Sequence, residues 1–289
     1  MAFSAADVKN LREMTGVGMM DCKKALTACD GDMDKAVEWL REKGMAASVK
    51  KAGRIAAEGM AYADVIDGVG VVVEVNAETD FVGKNEKFRE FVKGVAATVA
   101  KEQPADLDAL MECKYNGTDL TVLQQQQEMV LTIGENIKVR RFASFTEGVS
   151  NAYIHAGGKI GVLVNMTCED GSDISEVAHN VAMQIAALNP RFWDKSMVTE
   201  DVLEEEKKIL LVQMDQDPKM ASKPAQVKEK IVVGKMNKFY SENCLMQQAF
   251  VMDGDVTVEK YIANATNGKA KFVDAIRFYL TCTLHSSYK

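Results

Sequence analysis

Tyr62-Ala63-Asp64-Val65-Ile66-Asp67-Gly68-Val69-Gly70-Val71-Val72-Val73-Glu74-Val75 decides the fold, because its outline returns later as Tyr153-Ile154-His155 followed by Lys159-Ile160-Gly161-Val162-Leu163-Val164. Asp-Gly is a turn dipeptide and Val69 to Val75 is a β-branched run, so the stretch predicts strand, turn, strand. Tyr62 and Tyr153 lie 91 residues apart, as do Gly70 and Gly161. A helix follows in each place. Residues 86–101 carry Phe88, Phe91, Val92, Val95 and Val99 on one side, and Ile174 to Leu188 is the counterpart. A closing strand ends each copy: Asn136 to Phe142, after a helix from Leu120 to Ile133, is echoed by Arg277-Phe278, since Arg141 and Arg277 are 136 residues apart. The second copy is therefore longer by about 45 residues. A duplicated unit of hairpin plus helices, α+β in class, is the economical reading.

The extra length falls at 199–216, a charged helix with Val202/Ile209 and Leu203/Leu210 as apolar pairs, stopped at Asp217-Pro218. Pro224 fits the first turn of a second helix carrying Val227, Ile231 and Met236. Two charged antiparallel helices with a narrow apolar seam predict a protruding hairpin at about 198–238. Upstream, residues 4–43 read as three short helices. Ser4 caps the first, with Asp7 in its first turn and Val8, Leu11 and Met14 on one face. Gly16-Val17-Gly18 breaks it, Met19 through Leu26 forms the second, and Asp30-Gly31-Asp32 turns into a third that Gly44 ends. The expected organisation is a three-helix domain at 1–44, a linker at 45–60, a first core subdomain at 61–146, and a second at 147–284 bearing the hairpin.

The 289 residues are 47% hydrophobic and carry a net charge of −7. An acidic chain is a poor dedicated nucleic-acid binder, whose affinity rests on Lys and Arg against phosphate. The five positive charges within 41–54 keep one alternative open, an RNA- or ribosome-associated binding module using the basic linker. No signal segment or membrane-length apolar run is present, and a cytoplasmic location is expected. The six cysteines include no C-x-x-C and read as reduced, mostly buried thiols. Catalysis finds little support. There is no G-x-x-x-x-G-K-[ST], H-E-x-x-H or G-x-S-x-G, and His155, His179 and His285 lack metal-ligand spacing. Neither a cofactor nor a bound metal is expected, and the chain is not read as an enzyme.

Two segments stand out. In Leu11-Arg12-Glu13-Met14-Thr15-Gly16-Val17-Gly18-Met19-Met20-Asp21-Cys22-Lys23-Lys24-Ala25-Leu26, two adjacent methionines open a helix. Successive helical side chains diverge by about 100°, so a core this small has room for one of them unless the turn bends. An exposed thioether suits a protein-binding patch. In Glu74-Val75-Asn76-Ala77-Glu78-Thr79-Asp80-Phe81-Val82-Gly83-Lys84-Asn85, a strand ends at a corner. Thr79 or Asp80 is placed to cap backbone groups. Phe81 is either a plug for the chain's own core or, with Asp80 on the opposite side of extended backbone, a wedge for a partner.

These segments resemble the signatures of the bacterial elongation factor Ts family, R-x-x-T-G-x-G-M-M-D-C-K-K-A-L and E-V-N-x-x-T-D-F-V. Ile133-Gly134-Glu135-Asn136-Ile137, Tyr153-Ile154-His155 and Phe250-Val251-Met252 match as well, so the resemblance covers about 4–280. It implies a UBA-like three-helix domain, two similar core subdomains of small antiparallel sheets with helices, and a coiled-coil hairpin through which the chain forms a homodimer or heterotetramer. It implies a guanine-nucleotide exchange factor that binds elongation factor Tu with GDP, without binding nucleotide itself or entering a membrane. Thr79, Asp80, Phe81 and Val82 would disturb the partner's Mg²⁺ site. Arg12, Met19 and Met20 would touch its GTPase domain, and His155 would make a weaker contact. Enterobacterial members add a helical C-terminal module. Leu280 to Lys289 reads as no such helix, and contacts made by that module are expected to be missing.

Overall fold

The structure, a computed structural model, describes residues 3–217, 220 and 223–280. The stop expected at Pro218, and all of the C-terminal segment past Leu280, lie outside the described residues. Two compact units emerge, one drawn from Met1–Glu147, Ala152–Leu163 and Ile276–Lys289, the other from Gly148–Asn151 and Val164–Ala275.

The first unit opens with helices α1 (Ala5–Thr15), α2 (Met19–Ala28) and α3 (Met33–Lys51). Ser4 and Asp7 form a reciprocal cap on α1, the Ser4 N–H donating to the Asp7 carboxylate at 2.7 Å. Val8, Leu11, Val17, Cys22, Ala25, Leu26, Ala36 and Leu40 fill the small core between them. Gly44 does not end α3, which runs two turns further to Lys51. A Cβ on Gly44 would lie 3.1 Å from the carbonyl oxygen of Gln127, in helix α7 (Val122–Ile133). The glycine thus marks a close approach of two helices, a role its composition alone does not separate from chain termination.

Strands β1 (Glu58–Ile66) and β2 (Val69–Ala77) pair antiparallel from Glu58↔Ala77 to Ile66↔Val69. Asp67 and Gly68 make the connecting turn with φ of 50° and 83°, the left-handed pair that a two-residue hairpin requires. Strand β3 (Lys138–Phe145) adds to β2, giving the order β1-β2-β3. Val71, Val73 and Val75 pack under helix α5 (Glu86–Glu102) and α7 with Phe88, Phe91, Val95 and Met129. Val72 points the other way, against Ala61, Ala63, Leu163 and Phe278. Burial on both faces explains why β2 reads as an unbroken valine run and does not alternate.

The second sheet joins β4 (Val149–His155), β5 (Ile160–Cys168) and β8 (Ala270–Tyr279) in the order β4-β5-β8. A hairpin followed by a closing strand on its second member is the topology of the first sheet repeated. Within the second unit, helix α8 (Ser175–Leu188) buries Val177, Val181 and Ile185. Its buried Gln184 holds the small hairpin of β6 (Ala249–Phe250) and β7 (Asp253–Thr257), donating to the Ala249 carbonyl at 3.1 Å and accepting from the Val251 N–H at 2.8 Å.

The inserted hairpin consists of α9 (Glu200–Gln216) and α10 (Ala225–Asn243). Its seam keeps most of the expected residues: Leu210 and Met236 are buried, and Val202, Leu203 and Ile231 are partly buried beside them. Leu210 and Met214 meet Val232, Met236 and Phe239, whereas Ile209 and Val227 face solvent. Ile209 and Leu210 diverge by about 100°, and it is Leu210 that turns into the seam.

Candidate functional site

Thr79 to Lys84 form the corner between β2 and α5, where residues Asp80–Gly83 make a single helical turn, α4. Asp80 and Phe81 are therefore consecutive residues of a helical turn, not the opposed side chains of an extended strand. The two readings of Phe81 now separate. Phe81 is 77% exposed and contributes nothing to the core. Val82, 6% exposed, is the residue that enters the core beneath the corner, and so anchors it.

The corner is clamped on three sides. Gly83 lies directly on β1, since a Cβ there would come within 2.6 Å of the Gly59 carbonyl oxygen. The Arg89 guanidinium donates from Nε to the Gly83 carbonyl at 3.0 Å and from Nη2 to the Gly157 carbonyl at 3.3 Å. On the upstream side, Glu135 accepts from the N–H groups of Glu78 and Thr79 at 3.1 and 3.0 Å, and from the Thr79 hydroxyl at 2.7 Å. Thr79 is the N-cap residue of α4 but makes no side-chain cap, because its hydroxyl is committed to Glu135.

Lys84 reaches back over the turn, 2.8 Å from the Asp80 carboxylate and 5.9 Å from the centre of the Phe81 ring. Its hydrogen bond and charge hold the Asp80 carboxyl below the usual carboxylate range, with Lys159 adding in the same direction. Asp80 is thus a carboxylate at neutral pH. Carboxylate, ammonium and bare aromatic ring stand together on one short, braced turn.

The other sequence-singled residues are placed as follows. Met19 is 50% exposed and Met20 66% exposed, so neither is taken by the bundle core. With exposed Met14 and Arg12 they surround the Gly16–Gly18 turn, and Gly16 lies beside the ammonium of Lys87, in the first turn of α5. His155 is exposed, 3.2 Å from the Tyr153 hydroxyl, at the start of the turn whose Gly157 carbonyl Arg89 holds. The methionine turn, the Phe81 corner and the His155 turn are thus linked to the N-terminal end of α5 through Lys87 and Arg89. Val251 and Met252 are exposed at the tip of the β6–β7 hairpin, while Phe250 stacks on Tyr261 at 4.0 Å. Sequence reasoning missed Lys84, Arg89 and Glu135 as parts of the corner. Glu135 carried a signal, standing inside a matched motif just past a helix-ending glycine.

A family model described as Elongation factor TS matches residues 78–281. Elongation factor Ts of Syntrophotalea carbinolica is 46% identical over 268 residues, spanning 91% of this chain and 87% of that protein. Elongation factor Ts of Trichlorobacter lovleyi is 47% identical over 272 residues, 91% of this chain and 86% of that protein. That of Clostridium botulinum is 46% identical over 265 residues, 90% and 85%. The chain belongs to the elongation factor Ts family. The corner, with Glu135 and the closing strands of both sheets, lies inside the matched segment, whereas the methionine turn of this elongation factor Ts chain precedes it.

The basic segment behind the RNA reading is largely spent within the fold. Of its five charges, Arg41 pairs with Glu128 at 3.2 Å, Lys43 with Asp21, and Arg54 with Glu78 at 3.4 Å. Cys22 and Cys244 are buried, while Cys29, Cys113 and Cys168 are only partly covered, so the thiols are less hidden than expected. Among the described residues no helix is long and apolar enough to cross a membrane.

Proposed function

We propose that this protein speeds GDP release from elongation factor Tu by setting the Asp80–Phe81 turn beside the partner's Mg²⁺ site. Exchange-factor activity toward that GTPase comes with family membership; the residues that perform it are the proposal. The observation that carries it is a large aromatic ring left bare on a turn fixed from three sides. An exposed ring on a flexible loop would fold back onto apolar surface, and this one is held away. Phe81 intrudes between elements of the partner, and the Asp80 carboxylate competes for the groups around the cation. The nucleotide phosphates then lose neutralisation. Such a factor shifts the equilibrium only by binding the nucleotide-free partner better than the nucleotide-bound one.

Arg12, Met19 and Met20 serve as the grip on the GTPase domain, with flexible thioethers fitting a partner surface. His155 makes a lesser contact from the neighbouring turn. The hairpin α9–α10 joins two copies, since Ile209, Val212, Val227 and Val233 leave apolar surface exposed on both of its helices. The protein works in the cytoplasm and performs no covalent step of its own.

Stopped-flow release of labelled GDP from elongation factor Tu tests the reading. Phe81→Ala is expected to weaken binding to the nucleotide-free partner by roughly 2 kcal/mol, a hot-spot loss of about thirtyfold. Its melt should stay within about 0.5 kcal/mol of wild type, because the ring supports no core. Asp80→Ala should slow release more than it slows encounter. A Phe81→Ala protein that is folded and exchanges at the normal rate would sink the proposal.

A further inference from the structure

Ile133-Gly134-Glu135-Asn136-Ile137 carries the chain from the end of α7 toward β3. Gly134 ends α7 in the left-handed region, φ 86°, and its N–H closes on the Val130 carbonyl. That reversal carries Glu135 and Asn136 to the end of β2. Ile137, buried in the core, pins the segment from the far side.

Two carboxylates then cross between the segments. Glu135 receives both backbone N–H groups of Glu78 and Thr79 and the Thr79 hydroxyl. In return, the Glu78 carboxylate receives the backbone N–H of Asn136 at 2.6 Å, with Arg54 also paired to it at 3.4 Å. The Asn136 amide donates to the Arg54 carbonyl at 2.8 Å and ties in the segment that leads to β1. Charge-assisted bonds from a carboxylate to backbone N–H groups are among the stronger hydrogen bonds and fix the main chain itself. The residue immediately after Thr79 begins the exposed turn.

We propose that Glu135 is a positioning residue for nucleotide exchange, clasping Glu78–Thr79 so that Asp80 and Phe81 are presented in one fixed orientation. This rests on the reading of the corner as the exchange element. Glu135 touches neither the partner nor the nucleotide; it acts through Thr79. A wedge that must order itself on binding loses part of its interaction free energy to that ordering, and a clasp made beforehand removes the loss.

The test is GDP release from elongation factor Tu, followed with labelled GDP, for Glu135→Ala, Phe81→Ala and the double variant. Glu135→Ala is expected to lower the release rate at saturating factor about tenfold, as a loosened supporting shell does. In the Phe81→Ala background it should add little, because the element it orients is already gone. Hydrogen exchange of the Glu78 and Thr79 amides should quicken in Glu135→Ala while that of Val73 stays slow, which a general loss of stability would not produce. Glu135→Gln, close to isosteric and keeping one acceptor oxygen, should recover part of the rate; it also serves as the probe if the alanine variant folds poorly. A normal rate in the folded Glu135 variants alongside a slow Phe81→Ala would overturn the clasp and leave the wedge standing. Losses that multiply in the double variant would overturn it equally. A normal rate in Phe81→Ala would overturn the wedge, and the clasp with it.

Discussion

Glu74 sits on the central strand of the first sheet with no exposed surface, and its charge is answered by Arg141 Nε at 2.6 Å and Arg140 Nε at 3.9 Å. Arg141 also lies 4.2 Å above the Phe278 ring and donates to the Tyr279 carbonyl, so one ion pair joins β2, β3 and β8. Arg141 is partly exposed but Glu74 is not, so losing Arg141 leaves a buried carboxylate with the more distant Arg140 and the Asn76 amide as partners. Arg141→Ala is therefore expected to cost about 3 kcal/mol in urea denaturation. A loss under about 1 kcal/mol would show that Arg140 alone neutralises Glu74. At this scale the sequence was half legible. Helical geometry argued at least one of Met19 and Met20 outward, and both are exposed. Phe81 could not be settled, because an aromatic at a strand corner is compatible with plug or wedge until its neighbours are known. Val82, grouped with the corner by its motif, turns inward. The clasp was hidden because its partners, Glu78 and Glu135, stand far apart in the chain and no local pattern links them.

Elements were read best where one periodicity ran long enough. The β1–β2 hairpin follows from its Asp-Gly turn and valine run, and α5 from its apolar stripe. Helix α6 (Leu107–Glu112) and the two strands of the β6–β7 hairpin are too short to show a period. Helix α11 (Val258–Ala265) was findable: Thr257 caps it, and Val258, Tyr261, Ile262 and Ala265 keep helical spacing. The α1–α2 tip carries the prediction at this scale. Met19 and Met20 open α2 with both side chains in solvent, and Ala is as good a helix former as Met. The double change Met19→Ala, Met20→Ala should leave the circular-dichroism melt within a few tenths of a kcal/mol of wild type. Affinity for elongation factor Tu, read by titration calorimetry, should fall about tenfold, near 1.4 kcal/mol. A large drop in melting temperature with unchanged affinity per folded molecule would instead make the pair part of the bundle core.

For the whole molecule, the duplication was legible because two copies of one topology keep the same landmarks, and the length mismatch between them located the insertion. How that insertion is rooted was not. Its base is closed by backbone: the Arg191 and Phe192 N–H groups donate to the Asn243 carbonyl at 2.9 and 3.1 Å, and the Leu245 N–H donates to the Phe192 carbonyl at 2.9 Å. Cys244, buried there, has its thiol pushed up to about 11 by burial. Above this base the hairpin has its own apolar seam, so its removal should not unravel the rest. Replacing residues 201–238 by a short Gly/Ser turn is expected to leave a folded chain. Its melting temperature should drop by a few degrees, because Val198 and Phe239 lose their cover. GDP release should fall only in part, since the Asp80–Phe81 turn and the methionine tip lie in the other unit. Sedimentation velocity should show a change from dimer to monomer if the exposed Ile209, Val212, Val227 and Val233 join two copies. The milder pair Ile209→Lys with Val233→Lys should do the same, because charge on an apolar contact opposes association without touching the seam. A deletion that fails to fold would make the hairpin part of the second unit's core. A deletion that stays dimeric would move the dimer contact elsewhere on the chain.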